Sequence, residues 1–339
     1  VIFADIRTED RVKEGVVKNI ACFIAAALML CSAGRAFPKE INLTILHTND
    51  THGRLMPFSY GGAKIAGGIS RRAELVKETR IETGHFVMLL DAGGIFQENA
   101  KSSVLKGKAD IELMNLIGYD AAAPGQSEFG LGHKILAQRE KEAQFPFVCA
   151  NIVSEKGGKP LFEPMVIRTF QDVRIGIIGI AGADAAVGFS PDGRTKAKYM
   201  GPKKIIKDLL EKNKGKTDIV VVISNCGFEY DCGLAEAFAE AVPGIDVIIG
   251  GYSNTKLQKP VRAGRTVIAQ AFKWGIYLGR LDLLISEDSS GKYKIKSYSG
   301  KLLPVTEAVP SVTEIDDLLR RYETEIEKAE KSEKTQKKS

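Results

Sequence analysis

From about residue 41 onward the chain alternates short apolar runs with stretches of helical period. Residues 43–47, 86–90, 174–180, 219–223, 247–249, 266–270 and 279–285 are short and rich in branched apolar side chains, which predicts buried strands. Between them, residues 68–79, 110–117, 134–143, 203–212 and 233–241 carry the spacing of amphipathic helices. This alternation predicts an α/β layered fold. No internal repeat or low-complexity linker divides residues 41–304, so one domain is expected.

Several of the predicted strands run straight into polar, glycine-rich loops at 47–53, 91–94, 224–227 and 250–254. In open α/β sheets such loops converge at the carboxyl ends of the strands, and a ligand site is expected there. Near the end of the chain the apolar residues fall at Ile315, Leu318, Leu319, Tyr322 and Ile326, the stripe of an amphipathic helix. That stripe is a docking element, on its own domain or on another chain. The charged residues 328–339 continue no stripe and are expected to fray.

The start of the chain reads as an address. Lys18 precedes twelve apolar residues, 20–31, and small residues follow at Gly34 and Ala36. A membrane span needs roughly 20 such residues, so the pattern predicts no stable span but a signal peptide cleaved after Ala36. Residues 1–36 are thus read as a signal-peptide region, 37–310 as the folded domain and 311–339 as the helix with its tail. The polar stretch before Val16 is not needed by a signal peptide, which places the expected translation start at Val16 or Val17. Leu30 is too large for the position before a lipidated cysteine, which argues against lipidation at Cys31. The expected location is periplasmic or secreted, in a bacterium.

Composition narrows the function classes. The 339 residues are 44% hydrophobic and 27% charged, enough for a sizeable core. The net charge of +6 lies largely in the tail rather than in a stripe with interleaved aromatics, which excludes a nucleic-acid partner as the leading reading. Five cysteines (Cys22, Cys31, Cys149, Cys226 and Cys232) form no CxxC pair, so neither a disulfide framework nor a structural zinc site is expected. A Cys226–Cys232 bridge and free thiols both remain open. Gly61-Gly62 and Gly67-Gly68 lack a GxxxxGK[ST] pattern, and the second pair is read as a helix start. Gly176 and Gly179 are read as close strand packing, and Tyr252 and Trp274 as buried packing.

Asp50-Thr51-His52 directly after a strand can aim a carboxylate and an imidazole at one metal ion. Taken in order with LTILHTNDTHGRL, GGISRRAEL, VMLLDAGG, CANIV, IDVIIGG and YLGRLDL, it resembles the metallophosphoesterase domain of the secreted 5′-nucleotidase family, related to the calcineurin-like phosphatases. The resemblance runs from about Ile41 to Pro304. It implies a four-layer α/β/β/α sandwich with two adjacent divalent metals and phosphate esters, such as nucleotides, as substrates. It ends before the family's second domain, which supplies much of the base recognition, so nucleotide specificity is not expected to carry over.

At the positions the resemblance marks, this sequence departs from the family. Asp50 and His52 match. The metal-bridging aspartate of the second loop is Gly94. In the third loop the metal-binding asparagine is Gln126, and the catalytic His–Asp pair is Ser127 and Gly130. Asn225 stands for the histidine of the fourth loop, and Tyr252 and Asn254 for the two histidines of the fifth. The family chemistry uses more histidines than the four present, of which His47, His85 and His133 lie outside the ligand positions. Asp91 and Glu128 are acidic in the family as well and replace nothing; Asp231 could be recruited, although no spacing requires it.

Two dications about 3.5 Å apart repel by roughly 19 kcal/mol at an effective dielectric near 20. With Gly94 in place of the bridging carboxylate, a dinuclear centre is not expected. Loss of the His–Asp pair removes the acid for the leaving group, worth roughly 10²- to 10⁴-fold. The expectation is therefore a catalytically degenerate pseudoenzyme that binds a small molecule or a protein. It would carry no cofactor, or at most one weakly held divalent metal (Mn or Zn) on Asp50 and His52, with amide help from Gln126, Asn225 and Asn254. The alternative is a metal-dependent phosphoester hydrolase with a rebuilt or mononuclear site.

Overall fold

The structure, a computed structural model, describes residues 39–96, 104–188, 197–241 and 244–336, with side chains up to 328. The signal-peptide region, the start at Val16 or Val17, Cys22 and Cys31 lie outside the described residues.

The strands in chain order are β1 (Glu40–Thr48), β2 (Phe58–Tyr60), β3 (Ala63–Ala66), β4 (Val87–Asp91), β5 (Ala121–Ala122), β6 (Ile152–Ser154), β7 (Met165–Phe170) and β8 (Val173–Ala181). They continue with β9 (Ala197–Tyr199), β10 (Ile219–Asn225), β11 (Val247–Gly250), β12 (Val261–Ala263), β13 (Thr266–Ala269), β14 (Tyr277–Glu287) and β15 (Tyr293–Pro304). The helices are α1 (Ile69–Thr83), α2 (Lys108–Ile117), α3 (Gln126–Phe129), α4 (His133–Glu142), α5 (Ala185–Gly188), α6 (Pro202–Lys212), α7 (Phe228–Ala237) and α8 (Thr313–Gln336).

Two sheets dominate. One runs β15-β14-β1-β4-β5 and the other β12-β13-β11-β10-β8-β7. β1, β4 and β5 are mutually parallel, as are β8, β10, β11 and β13, while antiparallel strands lie at the margins. The side-chain period of two explains why the central strands are apolar throughout. Ile41, Leu43 and Ile45 of β1 meet Ile219, Val221 and Ile223 of β10 in a core between the sheets. The opposite faces are covered separately. Leu46 and Leu89 pack under α1, α2 and α8, while Val220, Val222 and Ile248 pack under α6 and α7. The result is the four-layer α/β/β/α sandwich.

The backbone must come close at Gly179, where a Cβ would lie 1.6 Å from the Val148 carbonyl oxygen. Gly61 and Gly62, both with positive φ, form the turn between β2 and β3. Cys149, Cys226 and Cys232 are all free thiols, so the bridge left open by the sequence is not formed.

The apolar stripe of α8 is buried on its own domain: Ile315, Leu318, Leu319, Tyr322 and Ile326 join the core beneath α1 and α2. Ser70 of α1 hydrogen-bonds both the carbonyl and the amide of Val312, and the Tyr322 hydroxyl donates to Glu112 of α2. The charged end does not fray as expected but stays helical to Gln336, since Glu, Lys, Ala and Gln sustain a helix by propensity. α7 also starts five residues earlier than the sequence pattern indicated, at Phe228, because Gly227 ends the preceding loop with positive φ. Among the described residues, no helix is long and apolar enough to cross a membrane.

Candidate functional site

The glycine-rich loops gather at one edge, as the strand directions require. The loop after β1 zips onto the loop after β4: Asp50 N–H donates to Gly93 O at 2.8 Å, His52 N–H to Gly94 O at 2.8 Å, and Gly53 N–H to Ile95 O at 2.7 Å. The loop after β11 closes on the same place, because Tyr252 N–H donates to Asp50 Oδ1 at 2.9 Å. Asn49 Nδ2 donates to Asp50 Oδ2 at 2.9 Å, and Trp274 N–H to the Asp50 carbonyl at 2.7 Å. Asp50, His52, Tyr252, Asn254, Phe272 and Trp274 all have positive φ, a concentration of strained backbone at one site.

Asp50 is buried, and burial pushes its carboxyl above the usual range against the pull of these donors and of His52. Its carboxylate fills the space above Gly94. A Cβ at residue 94 would lie 2.7 Å from Asp50 Oδ1 and 3.0 Å from Asp50 Cα.

Glu128 has a different task. Fully buried, it accepts from the backbone amides of Gly94, Ile95, Phe96 and Gly125 and from the Ser127 hydroxyl. It thereby fixes the loop after β4 to the start of α3. Asp91 is likewise internal. It is bonded to Thr48, which also meets the Tyr119 hydroxyl, and burial pushes its carboxyl up to about 8.

Asn225 is held in a cage of backbone. Its Nδ2 donates to Ala92 O at 2.7 Å, and Cβ atoms added at Gly93, Gly125 or Gly251 would each approach its amide within 3.0 Å. Gln126 and Gly130 are exposed, and Ser127 is turned to Glu128. Asn254 Oδ1 is buried without a hydrogen-bond partner. Tyr252, expected in buried packing, is instead 46% exposed: its own backbone takes a positive φ, its amide is bonded to Asp50, and its hydroxyl pairs with Asp184. Asp231, behind Gly250, is bonded to Ser224 at 2.5 Å, and burial raises its carboxyl well above the usual range.

Outside the site, His47 packs against Gly279, where burial lowers its imidazole to about 4, and His85 contacts Thr44. Among the described residues no group of three or more His, Cys, Asp and Glu side chains could hold a metal ion. A cluster that the sequence did not reveal flanks the site: Arg54 lies 4.1 Å and the Lys273 ammonium 4.0 Å from the Trp274 ring, which meets Phe58 and Tyr60 edge-on. Its members come from two segments, 54–60 and 273–274, more than two hundred positions apart, so no local pattern in the chain brings them together.

No protein-family model matches the chain. Over 320 residues it is 32% identical to the silent protein UshA(0) of Salmonella typhimurium, covering 85% of this chain and 57% of that protein. It is 31% identical over 330 residues to a 5′-nucleotidase of Vibrio cholerae, covering 86% and 58%. The 5′-nucleotidase precursor of Thermus thermophilus superposes with a TM-score of 0.73 at 28% identity, covering 84% of this chain and 59% of that one. This is a metallophosphoesterase domain of the 5′-nucleotidase family. The calcineurin-like phosphoesterase YfkN of Bacillus subtilis shares the fold, with a TM-score of 0.70 over 85% of this chain and 98% of that one at 22% identity. The 5′-nucleotidase-family chain spans a little over half the length of the curated relatives it matches.

Proposed function

We propose that this domain is a catalytically degenerate member of its family, acting by binding a small molecule or a protein rather than by hydrolysing phosphate esters. The carrying observation is the placement of Asp50 over Gly94: the carboxylate stands in the space of the side chain that residue 94 lacks, with both oxygens already accepting N–H groups.

The donor set at the loops does not match the family's metal pair. A dinuclear centre needs a bridging anion to offset the repulsion of the two cations. Gly94 offers none, Asn225 is bonded to Ala92 O, and Gln126 is exposed. Tyr252 points its hydroxyl at Asp184. These residues do not fit the metal pair, and no reaction step is derived through it. Ser127 and Gly130 supply no acid for a leaving group. The signal-peptide pattern in residues 17–36 supports a periplasmic or secreted location.

The test is elemental analysis of the chain after dialysis against manganese and zinc, alongside phosphate release from a nucleoside monophosphate. No stoichiometric metal and no turnover are expected. Two metals per chain with turnover, both lost in Asp50→Ala, would overturn this reading in favour of a rebuilt hydrolase.

A further inference from the structure

A cleft remote from the loop site opens along the seam between the two sheets. Its walls come from β12, β13 and the turn joining them on one side and from β15 on the other, and it encloses about 500 Å³. That is the size of a small-molecule site. Four cations line it, Arg262, Arg265, Lys294 and Lys296, against one carboxylate, Asp246.

That carboxylate is already committed. Asp246 Oδ1 accepts from Arg265 Nη2 at 2.8 Å and its Oδ2 from Val220 N–H at 2.9 Å. The same contacts anchor Arg265, whose Nη1 also donates to Ala241 O at 3.3 Å, and Arg262 Nε donates to Gly264 O at 3.1 Å. Two guanidinium groups are thus held in place before any ligand arrives, which lowers the ordering cost of binding. The two lysines pair at the surface with Asp288 and Glu40, and their side chains remain 66% and 56% exposed. Such exposed pairs are worth about 0–1 kcal/mol and exchange readily for a better anion. Val267, Ile295 and the Tyr298 ring add an apolar wall.

We infer that this inter-sheet cleft is a binding site for a small phosphate- or sulfate-type anion carrying an apolar or aromatic group. The guanidinium groups suit tetrahedral oxyanions through paired N–H donors, and the apolar wall suits the attached group.

The test titrates the full chain calorimetrically with 4-nitrophenyl phosphate and, separately, 4-nitrophenyl sulfate. The variants are a cleft triple (Arg262→Ala, Lys294→Ala, Lys296→Ala), a control triple of equal charge that lines neither this cleft nor the cavity beside α6 (Lys134→Ala, Lys141→Ala, Lys156→Ala) and Asp50→Ala. All six residues of the two triples are exposed, so both should fold, as thermal melting will check. The expected result is binding by the wild type, weakened at least about tenfold in the cleft triple and unchanged in the control triple and Asp50→Ala. Comparison of the two probes identifies the preferred oxyanion, and preference for either supports the site. Equal weakening in both triples, unchanged binding in the cleft triple, or absence of binding of both probes at about 1 mM would overturn it. Loss of binding in Asp50→Ala with the cleft triple unchanged would place the anion at the loops instead. Any hydrolysis at the loop site would show as release of 4-nitrophenolate, lost in Asp50→Ala, and is thereby read separately from binding in the cleft.

Discussion

The side-chain amide of Asn225 occupies the volume that any side chain at Gly125 would need: a Cβ there would lie 2.1 Å from Asn225 Oδ1. The loops after β5 and β10 are locked together by this absence. Gly125→Ala should therefore displace the asparagine from Ala92 O and cost about 1–3 kcal/mol in urea denaturation. Asn225→Ala should lose stability alone, yet make the second change at Gly125 nearly free. A double-mutant cycle that comes out additive would contradict the contact.

Gly94→Asp would place an anion in the loop after β4 and set it against Asp50 Oδ1, at positive φ. A lower melting temperature than wild type is expected, partly recovered by manganese, since a cation would offset two adjacent carboxylates. Thermal melts with and without the metal would check this. If manganese shifts both proteins equally, a carboxylate at residue 94 does not create a metal site here.

Much of the architecture was legible because the central strands are buried on both faces, as at 219–223, and because the stripe from Ile315 to Ile326 repeats with helical spacing. β7 and β15 escaped notice: they lie at sheet margins, where alternating exposure mixes Arg, Lys and Ser among the apolar residues. The loops of the site could also be read, with Asp50 and His52 among them. What surrounds Gly94 and Asn225 could not. Neither the packing of Asp50 onto Gly94 nor the cage around Asn225 follows from local pattern, since each joins residues tens to more than a hundred positions apart.

Asp110, buried in the first turn of α2 with Oδ2 unpartnered, has its carboxyl pushed up to about 7 by burial. The folded chain therefore keeps a proton that the unfolded chain releases near pH 4, and this contribution to stability falls as pH rises from about 4 to 7. Asp110→Asn should remove the dependence. Its melting temperature relative to wild type should climb across that window and level off above it. A constant difference between the two proteins at all pH values would refute the assignment.

Leu319→Ala on α8 removes a buried side chain from the core beneath α1 and should cost about 2–5 kcal/mol, measured by denaturant unfolding. Arg321→Ala, on the exposed side of the same helix, should change stability little. Similar effects from both would mean that the stripe is not what holds the helix to the domain.

Glu128→Gln would turn an amide donor toward backbone N–H groups that now share a carboxylate, at a cost of about 3 kcal/mol by the same measurement. The demand that Glu128 meets is set by the peptide backbone of two loops and makes no reference to a substrate. These two loops need an acceptor there whether or not anything is hydrolysed. At this position, then, a stretch that matches a phosphatase signature reports the shape of a turn.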